Sequence, residues 1–270
     1  GMGAFTGCTS LENILIPDGV TAIGTGAFGS CHSLKQVVIP GSVATIGIAA
    51  FRGCKNLESA VLSEGVVSLG ESVFRDCGRL AEISIPESVT QIGATAFLLT
   101  PWLAVQREKN PLVIVNTTLV DGRTCSGKVV IPDGVTAIAG WSFYRCRKMS
   151  SLVIPDGVTV IGEAAFRECT GLKSVSIPKG ITAIESQLFY QCRKLGSLTI
   201  PDGVTAIGRD AFFECAALKR VFLPEGITAI GDWAFDRCSE EMVIYGKPGE
   251  YVEKYMEHHG YNFELLQTEK

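Results

Sequence analysis

Apolar and polar residues alternate in short segments that recur along most of this chain. The segments Leu34–Ile39 and Leu172–Ile177 both read Leu-x-x-Val-x-Ile, and a proline follows each of them. Apolar residues two positions apart indicate a short β-strand with one buried face. Proline ends such a strand because it has no backbone N–H to donate to a ladder. The pattern therefore predicts many short strands, each stopped by a proline.

A phenylalanine recurs every 23 residues through this pattern, and a cysteine usually follows it three residues later. Phe97 and Phe143 are two periods apart, so the unit between them keeps its length but lacks the ring. Self-similarity at a period of this size predicts a solenoid of stacked repeats. We expect one elongated domain of about eleven units over residues 1–245, built mainly from short parallel strands. The ten phenylalanines are Phe5, Phe28, Phe51, Phe74, Phe97, Phe143, Phe166, Phe189, Phe212 and Phe235.

The remainder of each unit is predicted from residues that recur in phase with the phenylalanine. The segment Ile16–Gly24 reappears letter for letter at Ile200–Gly208, and its Pro-Asp-Gly is typical of a tight turn. Its Val and Ile indicate a second, shorter strand, and the Ala-Phe segment should make a helical turn that carries the ring inward. The glycines between them are expected to adopt a conformation that only glycine takes cheaply; they are Gly24, Gly47, Gly70, Gly93, Gly162, Gly208 and Gly231.

Residues 98–128 interrupt the repeat. Thr100-Pro101-Trp102 predicts the start of a helix that continues through Asn110, since Thr is a good N-cap and Pro suits the first turn. Leu112–Val115 is predicted to be a strand, and Asn116–Gly122 a turn-rich return. We expect this irregular unit to change the curvature or to cover the core.

Residues 246–270 are predicted to form a C-terminal cap, following a break in the repeat at Tyr245–Gly249. Glu250–His259 suits a helix, and Asn262–Leu265 suits a final strand. The expected inner face of that helix consists of Val252, Tyr255 and Met256.

Charge and hydropathy remove two classes of function. Lys and Arg total 24 against 28 acidic residues, which gives a net charge of −4 and excludes the basic footprint expected of a nucleic-acid binder. No apolar run approaches the roughly 18 to 20 residues that a membrane span needs. Gly1 is in phase with Gly24, so we expect the chain to begin inside a repeat of a longer protein.

The cysteines invite a metal or redox interpretation, which their spacing disfavours. Parallel thiols, one in each layer, lack the converging geometry of a disulfide or a zinc site, and there is no Cys-x-x-Cys. We predict buried free thiols at the nine positions of the repeat. Cys125 lies out of phase and is the best candidate for an exposed thiol, although a buried one is the simpler interpretation. The nine are Cys8, Cys31, Cys54, Cys77, Cys146, Cys169, Cys192, Cys215 and Cys238.

Other groups that could carry chemistry also have plain explanations. The histidines His32, His258 and His259 have no partner at triad or zinc spacing, and are expected at the surface. Acidic residues after the strands could in principle hold calcium, but turn chemistry after proline explains them. We therefore predict no catalytic, cofactor-binding or metal-binding residue. The acidic residues are Asp18, Glu64, Glu87, Asp133, Asp156, Asp202 and Glu225.

The recurring Leu-x-x-Val-x-Ile-Pro, Val-x-x-Ile-Gly and Ala-Phe-x-x-Cys motifs resemble the BspA-like leucine-rich repeats of bacterial surface proteins. The resemblance covers residues 1–97 and 129–245. It implies a right-handed leucine-rich-repeat superhelix with a parallel sheet along its inner side. It also implies an extracellular or cell-surface location and an adhesin-like role, with host or matrix proteins as partners. The motif is structural throughout and supplies no ligand residue.

Side chains that point outward from the strands are the main candidates for binding. The polar row is Asn13, Gln36, Ser59, Glu82, Lys128, Ser151, Ser174, Ser197 and Arg220, and the apolar row is Leu15, Val38, Val61, Ser84, Val130, Val153, Ser176, Thr199 and Phe222. An exposed apolar row marks a partner surface, or it reflects only the preference of β-branched residues for strands. Phe222 is the strongest single candidate because aromatic residues dominate binding hot spots. The full candidate set is Val130, Val153, Ser176, Thr199, Arg220 and Phe222, with Trp102 and Arg107 from the irregular unit.

These observations predict a non-catalytic recognition module that binds protein or peptide partners along its strand face. A carbohydrate-binding module is one alternative, which would require aromatic platforms where only Phe222 and Tyr245 are available. A structural spacer in a larger surface protein is the other. No cofactor is expected.

Overall fold

The computed structural model describes residues 1–246 and 250–265. The chain forms two compact units, unit 1 (Gly1–Asp121) and unit 2 (Gly122–Lys270). The predicted fold class, a repeat solenoid of parallel strands with few helices, is confirmed, and the solenoid has about ten turns. Lys247–Gly249 of the predicted break and residues 266–270 of the predicted cap lie outside the described residues.

Unit 1 contains two parallel sheets, to which successive turns each contribute one strand. One sheet has the order β1-β3-β5-β7 and the other β2-β4-β6. Neighbouring strands pair 23 residues apart, so that Val37 lies opposite Ala60. The strands are β1 (Ala22–Ile23), β2 (Gln36–Ile39), β3 (Thr45–Ile46), β4 (Ser59–Leu62), β5 (Ser68–Leu69), β6 (Glu82–Ser84) and β7 (Gln91–Ile92).

The irregular unit begins as the sequence predicts and then departs from it. Helix α1 (Pro101–Lys109) starts at Thr100, whose hydroxyl accepts a hydrogen bond from the Leu103 N–H. The strands β8 (Val113–Val115) and β9 (Thr118–Asp121) then form an antiparallel hairpin. The predicted turn-rich return is therefore wrong. Asn116 has a positive φ of 51°, which Asn tolerates, so the turn needs only two residues and the chain re-enters a strand at once.

The strands of unit 2 also pair in parallel, and they form four separate ladders. The pairs are β10-β12-β14, β11-β13, β15-β17-β19 and β16-β18-β20-β21. The strands are β10 (Gly127–Val130), β11 (Ala137–Ile138), β12 (Met149–Val153), β13 (Val160–Ile161), β14 (Ser174–Ser176), β15 (Ala183–Ile184), β16 (Ser197–Thr199), β17 (Ala206–Ile207), β18 (Arg220–Leu223), β19 (Ala229–Ile230), β20 (Val243–Gly246) and β21 (Asn262–Leu265).

Helix α2 (Glu250–His259) of unit 2 lies between β20 and β21 in the chain. Val252 and Met256 are buried, whereas Tyr255 is half-buried. One apolar face of α2 therefore packs inward, and β21 extends the last sheet by pairing with β20. That residues 246–270 act as a cap for the stack stays a prediction.

The phenylalanines form a stacked column in each unit. Phe28 and Phe51 have ring centroids 5.1 Å apart, and Phe189 and Phe212 are 5.6 Å apart with nearly parallel planes. The Ala-Phe segment is a run of tight turns. Its successive backbone N–H groups donate alternately to a carbonyl three residues earlier and to a carbonyl of the next repeat. The Phe51 N–H, for example, donates to the Val73 carbonyl at 2.9 Å. Backbone hydrogen bonds thus join the turns on this side as well as through the sheets.

Cysteine fills the space beside each ring and satisfies one backbone group. The Cys54 thiol donates to the Phe28 carbonyl at 3.1 Å, and equivalent bonds recur along the column. The prediction of nine buried thiols is wrong for two: Cys8 is exposed and Cys238 half-buried, whereas the other seven are buried. Cys125, the thiol best placed by sequence for exposure, is buried.

The ladder glycines, Gly24 and its equivalents, are required for a reason other than the predicted one. None of the seven has a positive φ. A Cβ on any of them would lie 2.4 to 2.6 Å from a backbone atom of the preceding turn, which no side chain permits. Glycine is therefore needed because two backbones meet there, and the predicted special conformation is wrong.

One exception to this glycine rule coincides with a break in the sheets of unit 2. Glu185 stands 23 residues after Gly162, at a ladder position. Among the described residues no ladder joins β13 to β15 or β14 to β16, although the Phe166 N–H still donates to the Leu188 carbonyl at 3.1 Å. These two turns share no ladder on the strand side, where the Gly196 N–H still donates to the Lys173 carbonyl at 3.3 Å, and they stay joined on the phenylalanine side.

Candidate functional site

The apolar row is exposed on the strand face of both units. In unit 1, Val38 and Val61 are 57% and 43% exposed, and in unit 2, Val130 and Val153 are 54% and 39% exposed. Their strand neighbours Val37 and Leu152 are buried, so the alternation of the pattern is followed. The structure therefore presents hydrocarbon to solvent on the face that the sequence singled out.

The candidates near the end of this face differ from one another in exposure. Ser176, Thr199 and Arg220 are exposed, whereas Phe222 is half-buried. The Phe222 ring stacks on Tyr245, with centroids 5.1 Å apart and planes at 20°. Each ring covers one face of the other, so the pair forms a single aromatic block.

Helix α1 forms the wall of a pocket on the strand face of unit 1. The Trp102 and Phe97 ring centroids are 4.7 Å apart, and the backbone N–H of Trp102 donates to the Leu80 carbonyl at 2.9 Å. The pocket has a volume of about 390 Å³, and Val61 and Val105 form part of its apolar lining. Polar groups at its rim come from Ser59, Glu82, Ser84, Gln106 and Lys109. Trp102 and the outward strand rows thus meet in one concavity.

Arg107 forms an ion pair inside the irregular unit. Its guanidinium donates two hydrogen bonds to the Asp121 carboxylate, at 2.8 and 2.6 Å, and the Asp121 side chain is almost completely buried. A buried carboxylate needs such a partner. Arg107 is therefore committed to its own unit, and a contact with a partner stays a prediction.

The break at Glu185 leaves a groove between β14 and β16. Its volume is about 680 Å³, and its lining includes the hydroxyls of Ser174, Ser176, Ser197 and Thr199. Val175 and Ile177 are half-buried here, whereas the equivalent Leu152 and Ile154 are buried. Two of the predicted binding residues, Ser176 and Thr199, therefore line a cleft that the sequence did not predict.

Charge is divided across the strand face of unit 2. The basic edge, at the amino ends of the strands, consists of the exposed residues Lys128, Arg147, Lys148, Lys173, Arg193, Lys194, Lys219 and Arg220. The acidic edge, after the strands, consists of Asp133, Asp156, Asp202 and Glu225, and Lys179 interrupts it beside the groove. The net charge of the whole chain does not show this division. A count of the charges at each repeat position would have revealed it.

A second surface feature of unit 2 was also missed. Aromatic and arginine side chains interleave beside the phenylalanine column, and the Arg167 guanidinium lies 4.0 Å from the Tyr190 centroid. The Arg145 Nε donates to Glu168 at 2.7 Å, an arrangement that lowers the pKa of Glu168 against the opposing effect of its burial. We call this the aromatic ridge: Trp141, Tyr144, Tyr190, Phe213 and Trp233. Unit 1 has no aromatic residue at the matching positions, a difference visible once the repeats are aligned.

Neither a metal-binding group of side chains nor a membrane-spanning helix occurs in the part of the chain that the structure describes. Within residues 1–246 and 250–265, no group of three or more His, Cys, Asp or Glu side chains is arranged to hold a metal ion. In the same part of the chain, neither helix has the length and hydropathy needed to cross a bilayer. Burial raises the pKa of the Cys192 and Cys215 thiols well above the usual value, so neither is an activated nucleophile.

The comparisons with known proteins agree with this geometry. A family model described as the BspA type leucine rich repeat region matches in six copies over residues 1–106 and 123–256. The chain belongs to the BspA-type leucine-rich-repeat family. None of the curated proteins matches it.

Two solved structures resemble the chain. A leucine rich cell surface protein from Faecalibacterium prausnitzii A2-165 is 26% identical, with a TM-score of 0.52, over 89% of this chain and 79% of that protein. The pneumococcal vaccine antigen PcpA is 17% identical, with a TM-score of 0.51, over 92% of this chain and 80% of that protein. The second likeness concerns the fold alone.

Proposed function

We propose that this chain is a recognition module of a bacterial surface or secreted protein, and that it binds protein or peptide partners through its strand faces. It acts by binding and not by catalysis. The observation that carries the proposal is the apolar row, which exposes valines on the strand face of both units. Exposed apolar rows with polar surroundings are typical of protein-binding surfaces.

The family and the first structural relative support the location and the kind of role. Leucine-rich repeats commonly mediate protein interaction, and the Faecalibacterium protein is described as a cell surface protein. The pocket beside α1 adds a concave, partly apolar site with a polar rim, which suits one anchoring side chain of a partner.

A selection from a random peptide display library on the immobilised chain tests the proposal. The selected peptides should bind the Val130→Thr, Val153→Thr double variant about tenfold more weakly, because Val and Thr have the same shape and only the hydrocarbon is lost. The matched control is Val160→Thr, at a valine that is 57% exposed on the short strand β13 of the same unit.

Two outcomes would contradict the proposal. Selected peptides that bind the double variant and wild type equally would place recognition elsewhere. Specific binding to a glycan array, with no peptide selected, would favour the carbohydrate-binding alternative.

A further inference from the structure

The basic edge of unit 2 is an unbalanced group of charges. The segments 124–130, 147–153, 170–176, 193–199 and 216–222, which lead into successive strands, contain eight cationic residues and no acidic one. They lie in five consecutive turns of a chain whose net charge is −4. Adjacent strands are about 4.8 Å apart, so cations from different turns can act on one ligand.

Most of these cations have no anionic partner. Arg193 pairs with Glu214 at 2.9 Å, and Lys219 pairs with Glu241. The other six, over the described residues, form no ion pair: Lys128, Arg147, Lys148, Lys173, Lys194 and Arg220. At the same repeat positions of unit 1, Lys35 pairs with Glu12 and Arg79 with Glu58. The corresponding segments of unit 1, 9–15, 32–38, 55–61 and 78–84, hold three cationic and three acidic residues, so this edge is balanced in unit 1 and positive in unit 2.

The groove beside this edge offers hydrogen-bonding groups of a particular kind. No ladder joins β14 and β16 in the part of the chain described, so the facing edges of these strands keep N–H and C=O groups without a strand partner. Ser174 and Ser197, whose side chains are exposed, line the groove between these strands. An extended polypeptide offers alternating N–H and C=O groups that match a strand edge, whereas a polysaccharide or a nucleic acid does not.

We propose that the basic edge and the adjoining groove of unit 2 bind an extended, acidic polypeptide segment. Its carboxylates pair with the free cations of the basic edge, and its backbone hydrogen-bonds along the groove. This inference rests on the proposed function, because it names the chemistry of the partner that the strand face of unit 2 takes.

The test uses a fluorescein-labelled peptide of alternating Glu and Ser residues and the same peptide with Gln in place of Glu. Fluorescence anisotropy should show binding of the acidic peptide alone, weakening about tenfold between about 0.05 and 0.5 M NaCl as screening increases. The Lys148→Ser, Lys173→Ser, Lys194→Ser variant removes one exposed cation from each of three consecutive turns. It should bind the acidic peptide about tenfold more weakly.

The matched control carries the same change in net charge at the corresponding edge of unit 1: Lys35→Ser, Lys55→Ser, Arg79→Ser. It should bind within about twofold of wild type, and an equal loss would reduce the effect to net charge and overturn the proposal. Equal binding of the Gln peptide would also overturn it. A sulfated polysaccharide or a single-stranded oligonucleotide that displaces the acidic peptide while supplying fewer moles of negative charge than the peptide would assign the site to another polymer and overturn the proposal.

Failure of this inference can be told from failure of the proposed function. A display-selected peptide that depends on Val130 and Val153 but not on the three lysines would leave the proposed function standing and contradict the acidic partner. Binding of the acidic peptide that depends on the lysines, together with no effect of the valine changes on any peptide, would retain the basic edge and contradict the apolar row.

Discussion

Single residues set the spacing of this solenoid through the contacts that they permit. The ladder glycines allow successive backbones to meet, and the cysteine thiols donate to carbonyls of the neighbouring turn. The sequence predicted the positions of both sets. It did not show why glycine is needed there, because close approach of two backbones and a positive φ both select glycine.

The glycine rule predicts a large effect at Gly208 and almost none at Gly196. In Gly208→Ala the new Cβ would lie 2.4 Å from the Ser186 nitrogen, whereas at Gly196 there is open space. Gly208→Ala should lower the free energy of unfolding by about 1–3 kcal/mol through overpacking. Gly196→Ala should stay within about 0.5 kcal/mol of wild type. Chemical denaturation measures both, and equal losses would contradict the backbone-contact explanation.

At the scale of elements, the sequence predicted what depends on local signals. Helix α1 begins at Thr100 as expected, because the cap and the following proline are adjacent in the chain. The β8-β9 hairpin was missed, since its turn depends on the positive φ of Asn116. The groove between β14 and β16 was also missed, although Glu185 stands at a position where the ladder otherwise has glycine in the neighbouring turns.

Restoring that glycine should close the break between β14 and β16. In Glu185→Gly the two turns can approach, so the strands should pair and the amides of Ser197–Thr199 should exchange with solvent more slowly. The control Glu163→Gly has the same substitution one turn earlier, next to a ladder glycine and not at the ladder position. Amide hydrogen exchange distinguishes the two, and unchanged exchange in Glu185→Gly would show that Glu185 does not cause the break.

At the scale of the whole molecule, the 23-residue period was sufficient for the fold class, since a regular repeat supplies one strand to each of two sheets, one ring and one thiol. The division into two units at Asp121 was not predicted from the sequence. The binding surfaces were predicted in part. Outward rows follow from strand periodicity, whereas the basic edge and the aromatic ridge require charges and rings to be counted across repeats.

The buried thiols should make the molecule sensitive to alkali. Burial raises the pKa of Cys31 from 9.0 to about 11, and it raises the pKa of Cys192 and Cys215 well above 9.0. Below pH 9.0 these thiols are neutral in both the folded and unfolded chain, so their burial is tolerated. As the pH rises from 9.0 towards about 11, the unfolded chain loses protons that the folded chain keeps, and folding is disfavoured.

Thermal unfolding between pH 8 and 11 measures this effect, and the midpoint should change little up to about pH 9 and fall progressively above it. The Cys192→Ala variant provides the comparison. It starts from a lower midpoint because of the cavity, but it should fall less steeply because one buried thiol is gone. Parallel curves for the variant and wild type would assign the alkaline loss to groups other than the thiols.

The central claim is that partners bind on the strand faces, and hydroxyl-radical footprinting of a complex with a display-selected peptide tests it most directly. The method reports side-chain access, and the competing surface of unit 2 is the aromatic ridge. Binding should lower the labelling of Val153 and Phe222 on the strand face and leave Tyr144 and Trp233 on the ridge unchanged. Protection of the ridge, with the strand face labelled as in the free chain, would contradict the account.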